Sequence, residues 1–258
     1  MTTQSSISST RCLASALLVI AGAAALTTSC TQPVINCTSA HGYFAAEYVL
    51  TQGDPDSPCG QLVGDVLGMQ TYSQEGGKYG TPDYQNAKVA IRPQSLGELI
   101  ADAAQRDAID IDDKFYDANA IGDFGAGFPN ADDFCLVDEL ERAQVSLPEL
   151  EAAPDDPNTP DEDESLPAQP ATEITYEWSD ARFVVSADAQ GTQFEADLEY
   201  TRDGCSASYH VVGVYPAVPC ESDAECDDDK NGINPDFALR CNVELGLCVL
   251  DAALPAYE

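Results

Sequence analysis

Between residues 173 and 215 polar and apolar side chains alternate with a period of two, and little besides a half-buried antiparallel sheet accepts that pattern. Ile174, Tyr176 and Trp178 share one phase against Glu173, Thr175 and Glu177. The phase slips near Ser179 and Asp180, so that Ala181, Phe183 and Val185 become the apolar set, the mark of a β-bulge. Phe194, Ala196, Leu198 and Tyr200 then alternate with Gln193, Glu195, Asp197 and Glu199. Asp203-Gly204 supplies a two-residue hairpin turn, and residues 205–215 return as a third strand.

A sheet with one wet face needs more strands behind it, and the earlier chain offers them. Residues 41–50 carry Phe44, Ala46, Tyr48 and Leu50 on one phase, and 61–73, 87–92 and 134–147 are further strand candidates. Gly64 and Gly68 weaken the pattern in the second of these. One helix is expected near 95–106: Ser95-Leu96-Gly97-Glu98 has the form of a capping box, and Leu96, Leu99, Ile100 and Ala103 follow at helical spacing. Residues 107–133, including the glycine-rich stretch 122–127, read as a long loop. Residues 148–170 hold six prolines among many acids and read as an exposed linker. The expected fold is mainly β, an antiparallel sandwich or open barrel with one helix, plus a small disulfide-rich C-terminal module. Its segments are a β domain begun in 30–147, the linker 148–170, a meander over 171–216 completing the domain, and the module 217–258.

That module follows from its cysteines. Cys220, Cys226, Cys241 and Cys248 sit in a stretch too short to fold without staples. Zinc is the competing reading, but structural zinc sites favour tighter C-x₂₋₄-C knuckles than the C-x₅-C and C-x₆-C found here. The four are expected to pair among themselves; Cys37 with Cys59 and Cys135 with Cys205 is the pairing guessed for the rest, although spacing alone does not fix connectivity. Within the module, Asp227, Asp229, Asn231 and Gly232 match the opening of a calcium loop, D-x-[DN]-x-[DN]-G. Ala238 stands where the bidentate Glu belongs, so the alternative is a solvated acidic turn. No other cofactor is suggested.

Charge excludes whole classes of partner. Eleven Lys and Arg stand against 45 Asp and Glu. Only Arg11 lies before Cys30, so the remainder carries 10 − 45 = −35. Such a surface repels nucleic acid and leaves cations or basic molecules as partners.

The N-terminus sets the compartment. Residues 12–26 form an apolar run of about 22 Å as helix, short of a ~30 Å hydrocarbon core, which reads as a signal peptide over 1–29 rather than a membrane span. The run ends in Leu26-Thr27-Thr28-Ser29-Cys30, which resembles the lipobox of bacterial lipoproteins, although that family prefers Leu at the place held by Thr27. The resemblance implies acylation of Cys30, a lipid anchor in the cell envelope and, with Thr31 rather than Asp after the cysteine, the outer membrane. Ordinary cleavage after Ala23-Ala24-Ala25 is the alternative. Parity favours the lipid: with Cys30 consumed, eight cysteines remain (Cys37, Cys59, Cys135, Cys205, Cys220, Cys226, Cys241, Cys248).

Catalytic signatures are sparse. G-x-S-x-G, H-E-x-x-H and P-loop patterns are absent, and the two histidines, His41 and His210, read as structural or surface residues. Acid pairs such as Asp112/Asp113 and Asp132/Asp133 are unremarkable among 45 acids. The expectation is a non-enzymatic envelope protein with a binding or structural role. The rivals are a carboxylate-based hydrolase and a barrel that carries a small ligand inside.

Overall fold

In the computed structural model, residues 35–76, 80–110, 117–152 and 166–257 are described. Cys30 and the signal segment lie outside them, as do Asp112, Asp113 and most of the acidic stretch after 152. Residues 35–258 form one compact unit.

The elements are β1 (Gly42–Gln52), β2 (Gly64–Gly76), β3 (Thr81–Pro93), α1 (Gln94–Gln105), β4 (Ala120–Asp123), β5 (Phe134–Glu139), β6 (Ala143–Leu147), β7 (Thr172–Val185), β8 (Gln190–Arg202) and β9 (Cys205–Val214). A helical turn α2 (Asp223–Cys226) and the ribbon β10 (Leu239–Asn242) and β11 (Leu247–Leu250) follow. One nine-stranded antiparallel sheet runs in the order β4-β3-β2-β1-β9-β8-β7-β5, with β6 beside β5 on the same edge of β7. The sheet curls until its edges meet. Gly125 N–H donates to Leu136 O (2.9 Å), Glu141 N–H to Ile121 O (2.8 Å) and Gln144 N–H to Asp117 O (2.7 Å), so the result is a nearly closed barrel rather than a sandwich.

Alternation decides what fills it. Phe44, Leu67, Val89, Val137, Trp178, Phe183, Phe194, Leu198 and Tyr209 all point inward and are buried. Phenylalanines pack one end, with ring centroids 5.6 Å apart for Phe44–Phe194 and 5.7 Å for both Phe183–Phe194 and Phe124–Phe183. Tyr48, Tyr176, Trp178, Tyr200 and Tyr209 pack the other. Gly213 makes room for this: a Cβ there would stand 2.1 Å from the Phe194 ring. The bulge falls where the phase slips, with the register shifting between Ser179 and Arg182 and Asp180 at φ 50°. Asp203 (φ 49°) and Gly204 (φ 90°) make the tight hairpin.

Both ends are covered. Residues 35–40 cross the phenylalanine end, where Ser39 N–H donates to Thr71 Oγ1 (2.8 Å) and Ala40 N–H to Gly191 O (2.7 Å). Helix α1 packs Leu96, Ile100 and Ala103 into the core at the tyrosine end. Its cap differs from the sequence expectation. Pro93 is the N-cap and Ser95 lies inside the first turn, so its hydroxyl donates outward to Asp65 Oδ2 (2.5 Å) on β2. Asp65 Oδ1 also accepts from the Ser95 N–H (3.4 Å). The capping carboxylate thus comes from a strand 30 residues earlier, and Glu98 instead accepts from Gln94 Nε2 (2.6 Å). Burial raises the Asp65 carboxyl above the usual range, against the lowering effect of these hydrogen bonds.

Two further expectations are corrected. The stretch 107–133 contains β4, because Gly122 lets β4 approach β5: a Cβ there would meet Val137 at 2.5 Å. The four cysteines of the barrel part pair as Cys37–Cys135 and Cys59–Cys205, not as Cys37–Cys59 and Cys135–Cys205. Cys37 and Cys59 flank opposite ends of β1, whose 11 residues span about 36 Å, far beyond the roughly 4.4–6.8 Å that a disulfide allows between Cα atoms. Cys220–Cys241 and Cys226–Cys248 do close the C-terminal module on itself.

That module is welded to the barrel. Ala45, Val184 and Val214, on outward positions, pack under Ile233, Phe237 and Leu250. Arg240 grips Glu47 with two 2.6 Å contacts, and buried Gln193 exchanges two hydrogen bonds with Ala256. Replacing Cys37 and Cys135 together by serine should lower unfolding stability by about 4–5 kcal/mol, the closure entropy of a span near 100 residues. Denaturant melts of parent and variant measure this, and non-reducing peptide mapping checks the pairing.

Candidate functional site

With the interior filled by rings in contact, function falls to the outer face. Three grooves there are lined by carboxylates: one has Glu139, Glu177, Asp197 and Glu199, a second Asp138, Asp180, Glu195 and Asp197, and a third Asp227, Asp228 and Asp229. A fourth differs. It is a 720 Å³ open groove across β1–β4 with no acid among the described residues that line it, formed by His41, Tyr43, Gly68, Gln70, Tyr72, Lys88, Ala90, Arg92, Asn119 and Ile121 with Gly42 and Met69.

Strand register builds this groove. Tyr43, Gly68 and Arg92 lie opposite one another on β1, β2 and β3. Two residues along β2, about 7 Å away, Gln70 faces Ala90 and Ala90 faces Ile121; the next row is Tyr72, Lys88 and Asp123. The floor is low because Gly68 and Ala90 present almost nothing. The walls are high because Tyr43 and Tyr72 stand 61% and 48% exposed. Lys88 Nζ rests 3.1 Å from Asp123 at the rim, an exposed acid whose hold on it is weak in water.

The β7–β9 face holds a second polar cluster. Glu195, nearly buried, is engaged by the Arg182 guanidinium, and His210 lies 3.7 Å from Glu195 and 3.3 Å from Asp197. His210 faces Val49 at the far end of β1 from His41, so the two histidines do not meet. Asp132 and Asp133 sit in a turn held by Asn130.

The sequence-derived calcium residues lie in the third acidic groove. Asn231 Oδ1 accepts from Ile233 N–H (2.8 Å) while its Nδ2 donates to Cys226 O (2.8 Å) and Glu225 O (3.2 Å), so its amide is spent on the turn. Asp227 closes α2. Among the described residues, the three metal-capable side chains with ligand atoms within 4.8 Å of one another are Cys220, Cys226 and Cys241, all in disulfides.

The groove across β1–β4 escaped sequence reasoning because its residues come from four strands. The one available signal was Gly68 at mid-strand.

The MlpA family model matches residues 42–216, which is the barrel from β1 through β9. The chain belongs to the MlpA family. A curated member from Myxococcus xanthus, described as "Putative lipoprotein MlpA", is 27% identical over 266 aligned residues that take in 96% of this chain and all of the relative. The disulfide module 217–258 lies beyond the MlpA family match, while the alignment with the Myxococcus relative extends past the barrel. No solved structure matches.

Calcium and sodium chlorides should raise the melting temperature equally at matched ionic strength, by screening the acidic surface. A saturable calcium step removed by Asp229→Ala would instead establish a site at Asp227, Asp229 and Asn231.

Proposed function

We propose that the chain is an exported bacterial envelope protein, anchored by lipid on Cys30, with a binding rather than a catalytic role. The lipobox-like Leu26–Cys30 segment and the description of the MlpA relative support the anchor. The single observation that carries the binding role is the groove across β1–β4, with no acid among its described lining residues, on an otherwise acidic molecule. The barrel itself faces water: its interior is apolar and its outer face bears Glu177, Asp197 and Glu199, the reverse of a lipid-facing strand. Ring contacts across the interior weigh against a ligand carried inside. Thr31 after the cysteine favours the outer membrane.

The test is fractionation with intact-mass measurement. The parent should partition into detergent with the membranes and begin at an acylated Cys30, and Cys30→Ala should release it. A mature chain beginning at Leu26 without acyl mass would contradict the anchor.

A further inference from the structure

A lipid on Cys30 would be held near one end of the barrel. Four residues, 31–34, separate Cys30 from Ile35, and each step of an extended chain covers at most ~3.6 Å, so the acylated residue lies within ~18 Å of Ile35. From Ile35 onward the chain is fixed at the phenylalanine end. Ile35 packs against the core, Cys37 N–H donates to Gly127 O (2.9 Å), and the Cys37 sulfur is bonded to Cys135. The 11 residues of β1 alone run about 36 Å toward the tyrosine end, twice the reach of that tether.

The same end carries most of the exposed aromatic surface. Gly42, at the start of β1, lies opposite Met69, so residues 70–76 of β2 and the part of β3 paired with them run past that edge by about 23 Å. Among the described residues, five aromatic side chains are exposed: Tyr43, Tyr72, Tyr84, Phe128 and Tyr257. Tyr43 begins β1, Tyr72 and Tyr84 stand on the projecting hairpin, and Phe128 follows the carbonyl that Cys37 binds. The Phe128 loop lies against the hairpin, where Gly127 abuts the Gln85 side chain. Charge differs there too. Residues 70–88 hold two acids, Glu75 and Asp83, and two bases, Lys78 and Lys88, on a chain that carries −35 beyond residue 29.

We propose that the phenylalanine end of the barrel docks on a zwitterionic lipid surface, with Tyr84 and Phe128 entering its interfacial layer. This rests on the lipid anchor proposed above and adds the face that the barrel turns to the membrane. A tyrosine offers an apolar ring and a polar tip, which suits the headgroup level, and phenylalanine suits the acyl boundary beneath it. Tethering holds this end at high effective concentration against the bilayer, so contacts too weak to bind alone become occupied. An anionic leaflet is disfavoured, because Asp132 and Asp133 close the Phe128 loop and would meet its surface potential within a Debye length.

The test is fluorescence quenching on the full mature chain incorporated into phosphatidylcholine vesicles by detergent removal. Tyr84→Trp and Phe128→Trp report on the proposed surface, and Val49→Trp, exposed on β1 toward the tyrosine end, is the control. Trp178, the one native tryptophan, is buried in the barrel and supplies a constant background. All three reporter positions are exposed, so the variants should melt with the parent. The parent and the variants should float with the vesicles. Brominated acyl chains should cut the emission added by Tyr84→Trp and by Phe128→Trp about twofold and leave that added by Val49→Trp unchanged. A parent that does not float would overturn the anchor and this orientation together. Flotation with either reporter unquenched, or with Val49→Trp quenched as strongly, would overturn the orientation and leave the anchor standing.

Discussion

Three backbone hydrogen bonds, from Gly125, Glu141 and Gln144, hold the two edges of one sheet together, and the Cys37–Cys135 bond ties the segment 35–40 to β5 beside them. Without them β4 would be an exposed edge, and open edges of long sheets invite pairing with other chains. Closure also determines what the interior can be. Nine strands curled to this radius leave room for side chains and little else, and phenylalanine at one end and tyrosine with tryptophan at the other occupy it. The remaining devices follow from closure: a glycine opposite Phe194, a bulge at Asp180 that turns β7, a helix over one end and residues 35–40 over the other. The disulfide module then covers outward positions that the barrel leaves apolar, at Ala45, Val184 and Val214.

Scarcity of base shapes the outside. Arg142 is held by Glu177, Arg182 by Glu195, Arg240 by Glu47 and Asp251, and Arg106 donates to the carbonyls of Glu151 and Pro167. These cations are spent on structure, two on single carboxylates, one on a pair of them and one on pinning the ends of the acidic stretch. The excess of acid therefore faces solvent over most of the molecule, and a groove with no acid among its described lining residues stands out chemically. Lys88, paired with Asp123, and Arg92 sit in that groove on outward positions of β3 either side of Ala90, above a floor that glycine and alanine keep low.

Local signals in the sequence carried much of this. Alternation over 173–215, the slip at Ser179–Asp180, the Asp203-Gly204 turn and the self-paired C-terminal cysteines each depend on neighbours a few residues apart, or on a short segment that must staple itself. The failures share the opposite property. Ser95 resembles a cap because of Glu98, yet the carboxylate it meets belongs to Asp65, delivered by β2. Cys37 and Cys59 look adjacent until β1 is laid between them at full length. The residues of β4 look like loop because its strand character comes from β3 and β5 rather than from its own four residues. The groove is the extreme case. Tyr43, Gly68, Lys88 and Ile121 share no local pattern and meet only through the register of four strands.

Closure of the sheet is the claim on which the account of interior and surface depends, and amide hydrogen exchange tests it most directly. In the oxidised mature chain, the amides of Gly125, Glu141 and Gln144 should exchange as slowly as those of the β8–β9 ladder, because all break only when the barrel opens. Seam amides exchanging at the rate of exposed turns, while the β7–β9 amides stay protected, would mean an open sheet and contradict the account.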